Sequence, residues 1–263
     1  MSPTDRSSPN LGPTKATKFE DYVNDLLLIE DDFQVSAALR LALEDEGYRV
    51  VEAADGRTGL DEFAKQPIDL VLIDLRLPDM TGFDVCRAIR AKSIVPIIIV
   101  TAQTDTHDLV VGLEAGADDY VTKPVVPKAL SARIRAHLRR VALHEGHEAS
   151  ALAAGESTAE GRPKGKVFGD IEVRESDSVV LKKGVILSLT KTEFLLMVEF
   201  ANHPNQVLSR DQLLERVWGY DWLGDSRLVD AHMRRLRVKI EDEPESPVHL
   251  LTVRGLGYRL QAS

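Results

Sequence analysis

Five short apolar runs alternate with amphipathic segments through the first half of this chain. The runs are LLLI, YRVVEA, IDLVLIDL, VPIIIVTA and DYVTK. Short apolar runs separated by segments of helical periodicity predict β-α-β units. Repetition of that unit produces a parallel sheet covered by helices on both faces. We therefore predict a five-stranded, parallel, doubly wound α/β domain over residues 25–140, with helices near Gln34–Glu46, Arg57–Lys65, Phe83–Ala91, Asp108–Ala115 and Pro127–Arg140.

Length and composition exclude several classes of protein. A chain of 263 residues suits two domains. Neither a long uncharged apolar stretch nor an N-terminal apolar block is present, so we expect a soluble, cytoplasmic protein without membrane contact. The single cysteine, Cys86, excludes an internal disulfide framework and a cysteine-rich zinc site. Polar composition predicts a disordered tail over residues 1–24 and a flexible linker over residues 141–166.

The composition changes after the linker, over residues 167–263. Val167–Val173 and Val179–Leu189 are predicted as short strands, and Thr190 with Glu193 forms a T-x-x-E capping box before an apolar helix. A second helix begins at Ser209, and a basic helix follows it. The chain ends in LLTVRGLGYRL, which is typical of a hairpin. Together these elements predict an α+β winged helix-turn-helix domain.

Polar side chains follow four of the predicted parallel strands in the first domain. Functional groups gather at the C-terminal ends of strands in an open parallel sheet. Clustered carboxylates repel one another unless a divalent cation compensates, and hard oxygen ligands favour Mg²⁺. A lysine, a hydroxyl and Mg²⁺ beside a carboxylate can receive a phosphoryl group. The side chains concerned are Glu30, Asp31, Asp32, Asp74, Thr101 and Lys123.

The ordered motifs EDD, D-x-x-x-P, VTA and DDYVTKP resemble those of the receiver domain of bacterial two-component response regulators. The resemblance implies that Asp74 is the phosphoacceptor, supplied by a sensor histidine kinase. It assigns Mg²⁺ binding to Glu30, Asp31, Asp74 and the main-chain carbonyl of Arg76. It also implies switch or phosphate-binding roles for Thr101, Tyr120 and Lys123, and a cis bond before Pro124.

An enzymatic alternative arises because phosphatases and ATPases also use a carboxylate nucleophile. Phosphatases of the haloacid-dehalogenase type place a second Asp two positions after the nucleophile as general acid. Arg76 stands there instead, so we expect slow turnover and a phosphorylated state that persists as a signal. A third possibility is an atypical regulator that dimerises without phosphate.

Positive charge is concentrated on the third helix of the second domain, although the whole chain has a formal net charge of −9. Between Arg227 and Lys239 there are five basic residues and one acidic residue, Asp230. Phosphate neutralisation supplies most nonspecific DNA affinity, and side chains that read base edges supply sequence preference. A solvated amphipathic helix is the alternative, but it does not explain this excess of one sign. We expect the helix to face outward with Arg227, His232, Arg234, Arg235 and Lys239.

Residues 167–263 also resemble the effector domain of the OmpR/PhoB subfamily, in LTKTEFLLM, VLSRDQLLERVWGYDWLGDSRLVDAHMRRLR and TVRGLGYR. The resemblance implies binding to promoter DNA at direct repeats. The expected contacts are Arg227, His232, Arg234, Arg235 and Arg237 on the helix, and Thr252 and Arg254 in the wing. The loop between the second and third helices, with Trp222 and Asp225, matches the segment that touches RNA polymerase.

By the same resemblance, phosphorylation produces a homodimer through helix 4, strand 5 and helix 5 of the receiver. The usual charged pairs of that face are only partly present in this sequence. Our hypothesis is a more apolar interface that discriminates against related regulators; the alternative is packing within one subunit. The positions concerned are Leu109, Val111, Asp118, Asp119, Ala129, Arg133 and Arg140.

Overall fold

The computed structural model describes residues 23–102, 111–138, 165–219 and 226–262. The N-terminal domain contains the predicted five-stranded parallel sheet, with strand order β2-β1-β3-β4-β5. Every neighbouring pair of its strands is parallel. The strands are β1 (Asp25–Ile29), β2 (Arg49–Ala53), β3 (Leu70–Ile73), β4 (Ile97–Thr101) and β5 (Asp119–Thr122).

Helices follow the strands as the periodicity predicts. The bounds of the first three agree with the sequence prediction to within a residue; they are α1 (Phe33–Asp45), α2 (Gly56–Lys65) and α3 (Gly82–Arg90). The described part of α4 covers residues 111–114, and that of α5 covers residues 127–138. Aspartate or threonine side chains cap the first turns of α1, α2 and α3, which satisfies backbone N–H groups that have no partner within the helix.

Both faces of the central strands are buried, which explains their continuous apolar runs. Leu27 and Ile29 of β1 pack toward α2 and α3, whereas Leu26 and Leu28 pack toward α1 and α5. Successive side chains of a strand point to opposite faces. Polar groups are consequently confined to the strand ends, where the candidate site lies.

The C-terminal domain combines two antiparallel sheets with three helices. Strands β6 (Lys166–Phe168), β7 (Ile171–Arg174), β8 (Val179–Lys182) and β9 (Val185–Ile186) form one sheet. The helices are α6 (Lys191–Asn202), α7 (Arg210–Trp218) and α8 (Arg227–Ile240), and the terminal hairpin consists of β10 (Leu250–Val253) and β11 (Gly257–Leu260). Capping boxes begin α6 at Thr190 and α7 at Ser209. The predicted winged helix is confirmed.

The strand prediction for residues 167–189 was wrong in one respect. Val167–Val173 and Val179–Leu189 were each treated as one run, but the structure breaks each of them into two strands. Gly169 with φ of 61° and Gly184 with φ of 80° stand at the breaks. Glycine adopts positive φ without the steric cost that a Cβ imposes, so the chain reverses there.

Several predicted positions lie outside the described residues. They are most of the tail, most of the linker, Leu109, Arg140, Trp222 and Asp225. In the portion of the chain that the structure describes, no helix is long and apolar enough to cross a membrane.

Candidate functional site

Three carboxylates meet at the C-terminal edge of the parallel sheet. Glu30 follows β1 and Asp74 follows β3, and neighbouring strands bring them together. One ligand oxygen from each of Glu30, Asp31 and Asp74 lies within 4.8 Å of the others. Glu30 and Asp74 are buried, whereas Asp31 is exposed. This set of hard oxygen donors, open to solvent on one side, fits a divalent cation such as Mg²⁺.

Lys123 crosses the cluster from the end of β5. Its Nζ donates to Glu30 Oε1 at 2.8 Å, to Glu30 Oε2 at 2.7 Å and to Asp74 Oδ2 at 2.6 Å. Burial opposes its charge, but the hydrogen bonds that it donates to the two carboxylates, together with their negative charge, outweigh burial and raise the pKa of Lys123. Burial also raises the pKa of Glu30, an effect that Lys123 only partly offsets. The ammonium group thus supplies the positive charge that these carboxylates require.

The other predicted site residues lie on the adjoining strands. Thr101 ends β4 and is 1% exposed, and Tyr120 in β5 is 9% exposed. The peptide bond between Lys123 and Pro124 is cis, as the resemblance implied. Asp32 has a different task, since its Oδ1 accepts from the N–H groups of Gln34 and Val35 at the start of α1.

The loop after Asp74 lies close to the N-terminus of α3. A Cβ on Gly82 would be 2.2 Å from the carbonyl oxygen of Asp74, so only glycine fits there. The N–H of Arg76 donates to Asp74 Oδ1 at 3.2 Å, and the Arg76 side chain is exposed. The main chain of Arg76 thus lies directly beside the Asp74 carboxylate, and the metal-binding role of the Arg76 carbonyl stays a prediction.

Helix α8, the predicted DNA-reading helix, contacts the N-terminal domain. Arg235 Nη1 donates to the carbonyl oxygens of Ala117 at 2.9 Å and Leu113 at 3.3 Å. Arg234 forms an ion pair with Glu114 of α4. Arg234 and Arg235, two of the five helix residues that were expected to reach DNA, therefore bind the end of α4 and the turn after it, and His232 is a third residue that contacts this part of the receiver.

His232 is the clearest departure from the sequence prediction, because it faces inward. It is fully buried, and its Nε2 lies 3.2 Å from the carbonyl oxygen of Asp118. A carbonyl only accepts, so Nε2 carries the proton. Trp218 Nε1 donates to the same carbonyl at 3.3 Å. Burial, and then the charge of Arg235, lower the pKa of His232 to about 4. Helical periodicity does not reveal that a second domain covers His232. Sequence reasoning also missed Glu114 as the partner of Arg234.

The remaining predicted DNA contacts divide between engaged and exposed side chains. Arg237 donates to the Leu250 carbonyl at 3.0 and 2.7 Å and to Thr252 Oγ1 at 2.7 Å, which ties α8 to the wing. Thr252 and Arg254 are exposed on the hairpin. Gly257, with φ of 146°, approaches so closely that a Cβ would lie 2.0 Å from the Leu208 carbonyl oxygen.

The predicted dimer residues that the structure describes are partly engaged within the chain. Asp118 Oδ2 accepts from Arg90 at 2.6 Å, and Asp119 pairs with Arg133 at 3.2 Å. Burial would raise the pKa of Asp118, but Arg90 and Arg235 outweigh it and lower that pKa. Ala129 is exposed and Val111 is partly buried. Cross-subunit pairing of these residues stays a prediction.

Comparison with known proteins was decisive for the family. The family model for the response regulator receiver domain matches residues 26–135. The family model for the C-terminal domain of transcriptional regulatory proteins matches residues 184–260. Transcriptional regulatory protein AfsQ1 of Streptomyces coelicolor is 49% identical over 89% of this chain and 97% of its own length. The chain is a two-component response regulator of the OmpR/PhoB type.

Further relatives agree with this assignment. DNA-binding response regulator MtrA of Mycolicibacterium smegmatis is 45% identical over 89% of this regulator and 95% of its own length. A solved structure of a RitR mutant is 28% identical, covers 91% of this regulator and all of its own chain, and has a TM-score of 0.67. The regulator thus consists of a receiver domain followed by a DNA-binding domain, and its relatives are transcription regulators rather than enzymes.

Proposed function

We propose that Asp74 of this regulator accepts a phosphoryl group from a sensor histidine kinase, with Mg²⁺ bound by Glu30, Asp31, Asp74 and the carbonyl of Arg76. The observation that carries the proposal is the contact of Lys123 with both Glu30 and Asp74. In the transfer, an Asp74 oxygen bonds to phosphorus as the bond from phosphorus to the kinase imidazole breaks. The departing ring nitrogen keeps the electron pair.

Each residue of the site has a defined part in this reaction. When bound, Mg²⁺ supplies positive charge to the oxygens of the transferred group. Lys123 has three N–H donors, so it can donate to a phosphate oxygen while it keeps one carboxylate. Thr101 offers a hydroxyl to a second oxygen. Arg76 occupies the position, two residues after Asp74, at which a phosphatase would have its general acid. The acyl phosphate is therefore retained rather than turned over.

The effector domain would read the phosphorylated state through the position of α8. Arg234 and Arg235 cannot bind DNA phosphates while they bind Glu114 and the carbonyls of Leu113 and Ala117. The described arrangement is therefore a closed form with reduced DNA affinity. The same contact covers Asp118 at the edge of the predicted dimer face, so closure opposes dimerisation as well.

Two unpaired polar atoms make this closed form easy to open. Among the described residues, His232 Nδ1 and Asp118 Oδ1 are buried without a hydrogen-bond partner. Each such atom costs about 1–3 kcal/mol. A modest free energy from phosphorylation and dimerisation then suffices to separate the domains, because a two-state equilibrium responds to any differential affinity.

We propose that the open homodimer works in the cytoplasm, binds direct repeats through α8 and the wing, and contacts RNA polymerase through the loop with Trp222 and Asp225.

The test combines phosphate retention with DNA binding. Purified protein is treated with a small acyl phosphate and Mg²⁺, and phosphate per chain and promoter affinity are measured. We expect about one retained phosphate per chain and tighter binding, both abolished in Asp74→Asn. Asp84→Asn, which removes a surface carboxylate on α3, serves as the matched control and should behave like the wild type. Rapid multiple turnover, or unaltered DNA binding in Asp74→Asn with donor present, would overturn the proposal.

A further inference from the structure

The segment that connects Asp74 to α3 is a loop closed at its base. The N–H of Gly82 donates to the carbonyl of Leu75 at 2.9 Å, and Arg76 forms an antiparallel bridge with Thr81. Gly82 also lies against the Asp74 carbonyl, where a Cβ would not fit. These contacts fix the two ends of the loop. They leave open what determines the position of its tip, residues 77–80.

The tip is attached to a different helix through Asp79. Its Oδ1 accepts from the N–H of Gly56 at 2.8 Å, and its Oδ2 accepts from the N–H of Arg57 at 2.9 Å. Both donors belong to the first turn of α2. The hydrogen bond from Gly56 lowers the pKa of Asp79, so the carboxylate is ionised at neutral pH. The positive end of the α2 dipole favours this charge further.

A capping role for α2 does not by itself explain Asp79, because α2 has its own cap. Asp55 Oδ1 accepts from the N–H of Thr58 at 2.8 Å, and Asp55 Oδ2 accepts from the Thr58 hydroxyl at 2.9 Å. Asp79 lies 22 residues beyond Arg57 in sequence. Its two hydrogen bonds therefore join the loop after Asp74 to the first turn of α2, which a local cap does not do.

Packing beside Asp79 strengthens the attachment. A Cβ on Gly56 would be 2.5 Å from Met80 Cγ, so the Met80 side chain lies directly on the α2 backbone. Asp79 itself is exposed. The tip is thus held by the partly buried side chains of Leu77 and Met80, which pack against the core, and by the carboxylate of Asp79. Arg76 lies three residues before it, within the same closed loop.

We propose that Asp79 is a positioning residue for the phosphoryl-acceptor site. The bridge with Thr81 joins Arg76 to the other side of the loop, and Asp79 attaches that loop to α2. Together they fix the main chain at Arg76, whose carbonyl would complete the Mg²⁺ site beside Asp74. Groups that orient a metal ligand through a hydrogen-bonded neighbour commonly change metal affinity by about 10–100-fold when they are removed. Asp79 acts through one loop rather than on a ligand directly, so we expect an effect near the lower limit. This inference rests on the proposed Mg²⁺-dependent phosphorylation of Asp74.

The experiment compares the two aspartates that cap α2. Full-length wild type, Asp79→Ala, Asp79→Asn and Asp55→Ala are titrated with Mg²⁺, once by calorimetry without phosphodonor and once by the rate of phosphorylation with a small acyl phosphate. We expect Asp79→Ala to raise the Mg²⁺ dissociation constant and the half-saturating Mg²⁺ concentration by about tenfold, with the rate at saturating Mg²⁺ within about twofold of wild type. Asp79→Asn keeps one oxygen that can accept a hydrogen bond, so its Mg²⁺ dissociation constant should lie between those of wild type and Asp79→Ala.

Asp55→Ala removes a cap from the same helix without touching the loop tip, so it should bind Mg²⁺ as the wild type does. Equal shifts in Asp55→Ala and Asp79→Ala would show that only the helix cap matters, and an unchanged Asp79→Ala would also overturn the inference. If Asp79→Ala does not fold, Asp79→Asn against wild type carries the test by the same criteria. Wild type that binds Mg²⁺ but retains no phosphate would contradict the proposed function instead, and the calorimetric comparison would still decide the role of Asp79.

Discussion

The contact between α8 and the receiver predicts that one charge reversal on α4 will strengthen DNA binding by the unphosphorylated regulator. Glu114 pairs with Arg234, and their side chains are 37% and 67% exposed, so solvent screens the pair. Such a surface pair contributes at most about 1 kcal/mol. In Glu114→Arg the ion pair is lost, and the new side chain repels Arg234 and Arg235 with an energy of similar size. The two effects together destabilise the closed form by roughly 1.5 kcal/mol. The apparent dissociation constant is the intrinsic one divided by the open fraction, so DNA affinity should rise about tenfold where closure predominates.

Fluorescence anisotropy with labelled promoter DNA measures this effect. The control is Glu62→Arg, which breaks a surface pair with Lys65 on α2 and changes the charge by the same amount. Any general attraction of added positive charge to DNA appears in both variants, whereas opening appears only in Glu114→Arg. The phosphorylated forms of the two variants should bind equally well. A gain of the same size in both unphosphorylated variants, or a gain below twofold in Glu114→Arg alone, would refute masking of α8 by the receiver.

Three further predictions concern single positions. Gly82→Ala places a Cβ against the Asp74 carbonyl oxygen, 2.2 Å away without rearrangement, so we expect a loss of about 1–3 kcal/mol in the free energy of unfolding together with slower phosphorylation. The pKa of His232 is about 4 in the folded protein, below that of the unfolded chain. The stability that neutral His232 contributes is therefore present above about pH 6.5 and is lost as pH falls toward 4. The free energy of unfolding in urea should decrease between pH 7.5 and pH 5 by ~2 kcal/mol more in wild type than in His232→Asn. Burial raises the pKa of Cys86 to about 12, so a thiol reagent should leave it unmodified until urea unfolds the receiver.

Local features of this regulator were predictable because their causes are local. The capping box of Thr190 and Glu193 is recognised by a spacing of three residues. The burial of β3 on both faces is recognised by its continuous apolar run. The convergence of Glu30, Asp74 and Lys123 followed from one rule about parallel sheets. The capping box and the buried run do not depend on contacts between distant segments, whereas the convergence joins distant segments that the parallel sheet brings to one edge.

Contacts between distant segments were not predictable in the same way. Periodicity showed which face of α8 is apolar, but we expected the polar side chain of His232 to face outward. The carbonyl that accepts its hydrogen bond belongs to Asp118, 114 positions earlier. Asp79 was likewise indistinguishable from an ordinary loop aspartate, because its partners Gly56 and Arg57 lie 23 and 22 positions earlier in the sequence. The sequence around His232 and around Asp79 contains no pattern that indicates these contacts.

Most of the receiver's acceptors for α8 and Trp218 are main-chain carbonyls, those of Leu113, Ala117 and Asp118. Any receiver with the same backbone at this corner offers these acceptors, whatever its side chains, whereas the donors on the effector side are specific. A chimera that joins a related receiver to this effector domain should therefore still close, and the reverse exchange should not. Inhibition would then be inherited with the DNA-binding half of the protein, independently of the signal that the other half receives.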